Sequence, residues 1–201
     1  MQDIESSYKK VEGKILIEIK LSSIVQLFNS FDPAPFREKE LDTEAEKYII
    51  DTVEDFPSTT QFRMAIYLPP DLASTEQAKK IVPAVHNHFQ YRMLVTERRL
   101  RNRIKYGRFA LIIGLSFLFL SLIGGQYLLS ISNSVILLVI ADALMITGWA
   151  AMWEPVTVLL YELWPIVRKK KLYEKISKME VDILPLPALS PGETGASRHG
   201  S

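Results

Sequence analysis

The chain has 201 residues, no cysteine, and 24 lysines and arginines against 23 aspartates and glutamates. The lack of cysteine excludes disulfides, thiolate metal sites and a cysteine nucleophile, and the near-neutral charge argues against general nucleic-acid binding. The charge is nevertheless segregated: residues before Ser58 lean acidic, whereas residues 92–108 and 168–178 lean basic.

The first regular element is a predicted strand at residues 14–21. Its sequence, KILIEIKL, alternates polar and apolar side chains, and a period of two is typical of a strand with one buried face. Two serines then precede IVQLFNSF, at residues 24–31, which predicts a short helix.

A proline-rich loop follows at residues 32–37, which read DPAPFR. Two prolines disfavour both helix and strand, so a rigid loop is predicted. It either docks on the domain or on a partner, or it is a structural turn with its phenylalanine buried. The loop motif consists of Asp32, Pro33, Pro35, Phe36 and Arg37.

Three further elements are predicted before the long apolar region. A helix starts near Asp42 or Thr43, because Thr43 and Glu46 have the capping-box spacing. Residues 61–68 alternate like the first strand. A long helix then begins at residues 74–76, and an apolar stripe runs along it to residue 104. This stripe is expected to pack on the strands or, alternatively, to form a coiled coil between subunits.

Two membrane spans are predicted next, at about 109–131 and from 135 to 153 or beyond. No charged side chain lies between Arg108 and Asp142, and about 20 mostly apolar residues suffice to cross the hydrocarbon. The polar break between them, at residues 130–134 and overlapping the end of the first span, is too short for an outer domain. Pro155 either ends the second span or kinks a helix that continues.

Lysine and arginine flank both outer ends of this predicted hairpin, whereas the turn between the spans has no charge. Such residues stay on the cytoplasmic side, so both termini are predicted inside. The cluster Arg168, Lys169, Lys170 and Lys171 follows the second span and is expected to contact anionic lipids. A basic helix and a short strand (residues 166–184) and a disordered tail (185–201) complete the chain.

Two polar residues inside the spans are the most informative. Asp142 and Gln126 lie at similar depth from the turn, by the helical rise, and a hydrogen bond between them is expected. Asp142 has three alternative roles. Its side chain holds helices together within or between hairpins by hydrogen bonding, forms part of an ion or proton path, or is exposed to water near the outer surface.

Three other sets of residues are candidates for contacts. Ser121, Gly124 and Gly125 allow close helix packing. Glu154 and Glu162 are expected to form ion pairs with Arg101, Arg103 or Arg108. His86 and His88 lie on different faces of a helix and lack a third ligand, so no metal site is predicted; no catalytic motif and no cofactor site is recognised.

Three segments carry a resemblance. The segment LFNSFDPAPFREKELD at residues 27–42, together with GWAAMWEP and YELWPI at residues 148–155 and 161–166, resembles a family of small bacterial membrane proteins with two spans and a DPxPF loop. The resemblance covers nearly the whole chain except its tail. It implies a bacterial inner-membrane protein and lends no catalytic residues.

These observations predict an α+β cytoplasmic domain of two or three strands with helices (residues 1–105), joined by a long helix to a two-helix transmembrane hairpin (106–165). Two strands are too few for a stable sheet, and the small residues of the first span also favour association, so self-association is expected. The predicted function is a membrane-anchored homo-oligomeric structural or interaction protein whose cytoplasmic domain docks a partner or senses a signal. The alternative is an oligomeric ion channel or transport subunit with Asp142 on or near the path.

Overall fold

The computed structural model describes residues 8–33, 35, 39–132 and 134–187. The chain forms two compact units. The α/β unit combines Met1–Gln90 with Glu174–Ser201, and the helical unit is Tyr91–Tyr173. The segment after the apolar region, predicted as a separate basic helix and strand, therefore contributes its last part to the α/β unit.

A four-stranded sheet forms the α/β unit. Its strands are β1 (Lys10–Val11), β2 (Lys14–Lys20), β3 (Phe62–Leu68) and β4 (Glu180–Pro185), in the order β1-β2-β3-β4. β1 is antiparallel to β2, whereas β2, β3 and β4 are parallel. Two or three strands were predicted; the unpredicted one, β1, is paired through a two-residue turn in which Glu12 and Gly13 both have positive φ.

Helices cover one side of this sheet because its apolar side chains alternate. Ile15, Ile17 and Ile19 of β2 are buried, and the residues between them are partly exposed. The helical contribution comes from α1 (Thr43–Glu54), α2 (Pro70–Ala73), α3 (Glu76–Lys79), the start of α4 (Ile81–Ile131) and the end of α7 (Leu163–Ser177). Their fully buried side chains include Ile49, Ile81, Phe89 and Ile176. The first part of α4 and the last part of α7, which belong to the α/β unit, thus supply core residues.

The predicted start of a helix near Asp42 or Thr43 is confirmed, since α1 begins at Thr43. Its N-cap is Asp42 and not the Thr43 of the predicted capping box, because the Asp42 carboxylate accepts from the Glu44 N–H at 2.9 Å. The helix predicted at residues 24–31 is only a 3-10 turn, Ile24–Leu27. It ends early because Phe28 forms an isolated antiparallel bridge with Leu41.

The helical unit contains most of α4, then α5 (Val135–Ala151), α6 (Trp153–Thr157), a π-helical turn (Val158–Glu162) and most of α7. Helical backbone continues past Pro155, and the interruption lies three residues before the proline, at Met152. Pro83 lies in the first turn of α4. Backbone N–H groups in the first turn of a helix have no intrahelical acceptor, so a proline there removes no hydrogen bond.

Two helical stretches, Glu76–Ile131 and Val135–Ser177, are long and apolar enough to cross a membrane. In the most apolar 18-residue segment of each stretch, only 17% and 11% of the segment is buried inside the structure. A core helix of a soluble protein would be mostly buried, so these stretches instead present their apolar side chains outward.

Candidate functional site

The predicted packing residues lie in the contact between α4 and α5. Gly125 faces Ala141, whose carbonyl oxygen would stand 3.5 Å from an added Cβ. Towards the other end, Ser121 faces Gly148, and Gly114 approaches Ala151. The order of these contacts runs in opposite directions along the two helices, so they form an antiparallel hairpin. The small residues of the first span are therefore used within the chain.

This use of Ser121 and Gly125 changes one expectation. Both were expected to support association between copies, but both are buried against α5 of the same chain. Gly124 lies beside them and has only Leu144 nearby, 3.8 Å from a built Cβ. Close approach of helices in membranes is provided by such small side chains, and here that approach closes the hairpin itself.

Asp142 and Gln126 are both exposed. Among the described residues neither side chain has a hydrogen-bond partner, so the bond expected between them does not form within one chain. The reason is geometric. Gly125 contacts Ala141, and the next residue on each helix is rotated by about 100°. In an antiparallel pair these rotations turn Gln126 and Asp142 towards the same side of the hairpin instead of towards each other.

The side of the hairpin that carries these two residues is otherwise apolar. We call it the polar-pair face, and helical spacing assigns to it Leu115, Phe119, Leu122 and Gln126 of α4 with Leu138, Asp142, Met145 and Trp149 of α5. All its apolar members are exposed. Gln126 and Asp142 differ in depth by only about 3 Å, by the rise per residue. A carboxylate at such a position in hydrocarbon is costly unless it is paired, protonated or hydrated.

Ion pairs stabilise the opposite end of the hairpin. Arg103 pairs with Glu162 and lies over the Tyr106 ring, 4.7 Å from its centroid. The Tyr106 hydroxyl in turn donates to Glu154 at 3.1 Å. The other two candidates, Arg101 and Arg108, are exposed and form no ion pair with any residue that the structure describes.

Two of the four residues in the basic cluster after the second span form an ion pair or a ring contact with another side chain. Lys170 pairs with Glu97 at 3.4 Å, and the Lys169 ammonium lies 5.8 Å from the Tyr173 ring centroid. Arg168 and Lys171 are exposed and have no ion-pair partner within the described ranges. Within this cluster, Arg168 and Lys171 are therefore the two side chains with neither an ion pair nor a ring contact among the described residues.

The proline-rich loop is closed at its base by the chain itself. Asp32 accepts from the Glu40 N–H at 2.7 Å, and the Asn29 N–H donates to the Glu40 carbonyl at 2.9 Å. Pro33 and Pro35 are exposed, whereas Phe36 and Arg37 lie outside the described residues. Phe31 lies directly before this motif and is 93% exposed, although no pattern in the sequence marks it as a candidate.

The histidines have structural partners. A ring nitrogen of His86, Nε2, lies 2.8 Å from the Met179 carbonyl, and His88 Nδ1 accepts from the Leu41 N–H at 3.2 Å. His88 Nε2 lies 3.4 Å from the Glu46 carboxylate without the alignment of a hydrogen bond. Within the described residues, no three His, Asp or Glu side chains are placed to hold a metal ion.

A groove that sequence reasoning did not find lies at the start of the parallel strands. Its volume is about 210 Å³. We call it the lysine groove, and it is lined by Lys14, Gln61, Phe62, Lys175, Lys178, Met179 and Glu180. Burial lowers the pKa of Lys175, and the hydrogen bond from Lys14 lowers the pKa of Glu180. Only the fold brings these distant residues together, so no local pattern signals the groove.

Comparisons with known proteins yield no relative: no protein-family model matches this chain, and no curated protein or solved structure is significantly similar to it.

Proposed function

We propose that this protein is a bacterial inner-membrane anchor whose hairpins associate with one another through the polar-pair face. In this arrangement, copies of the α/β unit are held together on the cytoplasmic side, where they dock a partner protein. The single observation that supports it is the position of Asp142 and Gln126: exposed, on one side, at one depth, in an apolar surface. A second copy supplies the hydrogen-bond partners that one chain lacks.

The proposed orientation follows from charge. Lysine and arginine precede the first span and follow the second, which favours cytoplasmic termini. Exposed Trp149, Trp153, Tyr161 and Trp164 lie at that same end, where aromatic belts form. Arg168 and Lys171 would contact anionic headgroups there. The proposal includes no catalytic activity, and the closed loop with exposed Phe31 is the favoured surface for the cytoplasmic partner.

The test compares three variants in lipid, with the dissociation constant of the oligomer measured by fluorescence energy transfer on dilution. Asp142→Asn keeps hydrogen bonding and should preserve assembly. Asp142→Leu should weaken it by about 1 kcal/mol, which is about fivefold in the dissociation constant. Ser116→Leu is the matched control, because Ser116 is exposed but points away from the polar-pair face.

Two results would contradict the proposal. One is a protein that stays monomeric at every concentration in lipid. The other is a cation flux in proteoliposomes that disappears in Asp142→Asn while the oligomer is unchanged. The second result would favour the channel or transport function, because a path uses the charge of the carboxylate and not only its hydrogen bonding.

A further inference from the structure

The lysine groove has an uneven distribution of charge and hydrogen-bonding groups. Three lysines and one glutamate line it, and Glu174 pairs with one of these lysines, so one positive charge is left without a carboxylate. Lys14 pairs with Glu180 at 2.6 Å, and Lys178 pairs with Glu174 at 2.7 Å. Both lysines therefore have carboxylate partners at the rim of the groove, and the third lysine differs from them.

Lys175 is fixed between a carbonyl and an aromatic ring. Its ammonium donates to the Ser58 carbonyl oxygen at 3.0 Å and lies 4.7 Å from the Phe62 ring centroid. No carboxylate in the described part of the chain pairs with it. An ammonium has three donors, and one is used by Ser58. The other two remain for a ligand, and partial burial lowers the pKa of the Lys175 ammonium.

We propose that the lysine groove binds a small phosphate-bearing anion, with the Lys175 ammonium as its main contact. Lysine binds phosphate as a point charge, and Lys175 is the lysine of the groove that pairs with no carboxylate among the described residues. The lysines and the Gln61 amide supply donors. Phe62 and Met179 form an apolar wall for the rest of the molecule. The phosphate comes either from a soluble molecule or from a lipid headgroup, and the inference does not depend on the proposed self-association.

The experiment measures the reactivity of single lysines in the full chain held in phosphatidylcholine nanodiscs. Trace acetylation followed by peptide mass spectrometry reports each amine. Inorganic phosphate and pyrophosphate are titrated separately, with chloride at equal ionic strength as the reference. A second arm contains no soluble phosphate and uses nanodiscs with phosphatidic acid. We expect saturable protection of Lys175 in one of these arms, and the arm identifies the source of the phosphate.

Variants then test the contact by binding calorimetry with the probe that protects. Lys175→Met keeps the aliphatic length and should weaken binding at least about tenfold, the effect of losing one charge-assisted contact. Lys178→Gln changes an exposed rim residue, keeps the fold, and should weaken binding by a smaller factor. Lys79→Met removes an equal charge from an exposed pair with Glu76 and should have no effect.

Either of two outcomes overturns the inference. In the first, neither inorganic phosphate, pyrophosphate nor phosphatidic acid alters the labelling of Lys175. In the second, Lys79→Met weakens binding as much as Lys175→Met and Lys178→Gln do, which would mean that the anion responds only to total charge.

Discussion

Gly148 of α5 approaches Ser121 of α4 so closely that a methyl group on Gly148 would lie 3.0 Å from the Ser121 Cβ. The same methyl would lie 3.3 Å from the Leu118 Cα, a backbone atom that cannot rotate away. At Gly124, among the described residues, an added methyl would meet only the Leu144 Cδ1 atom, at an ordinary 3.8 Å. Gly148 is therefore a glycine that the packing of the hairpin requires, whereas Gly124 is one that it tolerates.

The first prediction uses this pair of glycines. Gly148→Ala should lower the free energy of unfolding of the hairpin by about 1–3 kcal/mol, the usual cost of overpacking. Gly124→Ala is the matched control and should be neutral or slightly stabilising, since alanine is the better helix former. Reversible unfolding in mixed micelles measures both. Equal effects of the two substitutions would mean that α4 and α5 do not pack at Ser121.

The second prediction concerns the ion pair between Arg103 and Glu162. Their side chains are 34% and 37% exposed, so solvent screens the interaction, and a double-mutant cycle with glutamine at each position should give a coupling of about 0.5–1 kcal/mol. Lys178 and Glu174 serve as the control pair, because Lys178 is 72% exposed and its coupling should be smaller. A larger coupling for the control pair would contradict this ranking.

The third prediction follows from the way the helical unit interrupts the α/β unit. If Tyr91–Tyr173 is replaced by a flexible Gly/Ser linker, the remaining chain should fold as a soluble α/β domain, because its strands and core are retained. Met1–Gln90 alone should not fold, since it lacks β4 and the fully buried Ile176. Circular dichroism and amide dispersion in NMR spectra distinguish the two proteins.

A core substitution provides the control for that experiment. In the linked domain, Ile176→Ala should cost about 2–5 kcal/mol, whereas Val25→Ala should cost little, because Val25 is exposed. A Met1–Gln90 fragment with the same dispersed spectrum as the linked domain would show that β4 and Ile176 are dispensable.

The sequence predicted the elements better than their arrangement. The period of two in KILIEIKL and the charge-free run after Arg108 are local patterns, and they yielded β2 and two long apolar helices. The pairing of β4 with β3 joins residues on either side of the hairpin, and no local pattern encodes it. β1 was missed because two residues are too few for a detectable period.

For the candidate sites, too, the sequence predicted local features but not how they are arranged in the fold. Helical rise placed Asp142 and Gln126 at similar depth, but depth does not determine the side of the hairpin. That side depends on which residues make the contact, and Gly125 with Ala141 decides it. The lysine groove depends entirely on the fold, since Lys14 and Lys175 come from opposite ends of the chain.

The last prediction is a pH dependence at the mouth of the lysine groove. The hydrogen bond and the positive charge of Lys14 lower the pKa of the Glu180 carboxyl from its ordinary 4.5. In the unfolded chain this pair is absent, so the carboxyl titrates near its ordinary value. A folded pKa below the unfolded one means that the pair's contribution is fully present above about pH 4.5 and disappears as the pH falls through the lowered folded pKa.

Lys14→Met tests this dependence in the linked α/β domain by denaturant unfolding over the acidic range. The unfolding free energy of wild type should exceed that of the variant at neutral pH, and the difference should shrink below about pH 4.5, because protonated Glu180 no longer attracts the ammonium. Lys47→Met is the control, since Lys47 is exposed and has no ion-pair partner among the described residues. Its difference from wild type should stay constant with pH. If the Lys14→Met difference instead persists unchanged to the most acidic pH at which the domain folds, then Lys14 stabilises the domain through the packing of its aliphatic stem and not through Glu180.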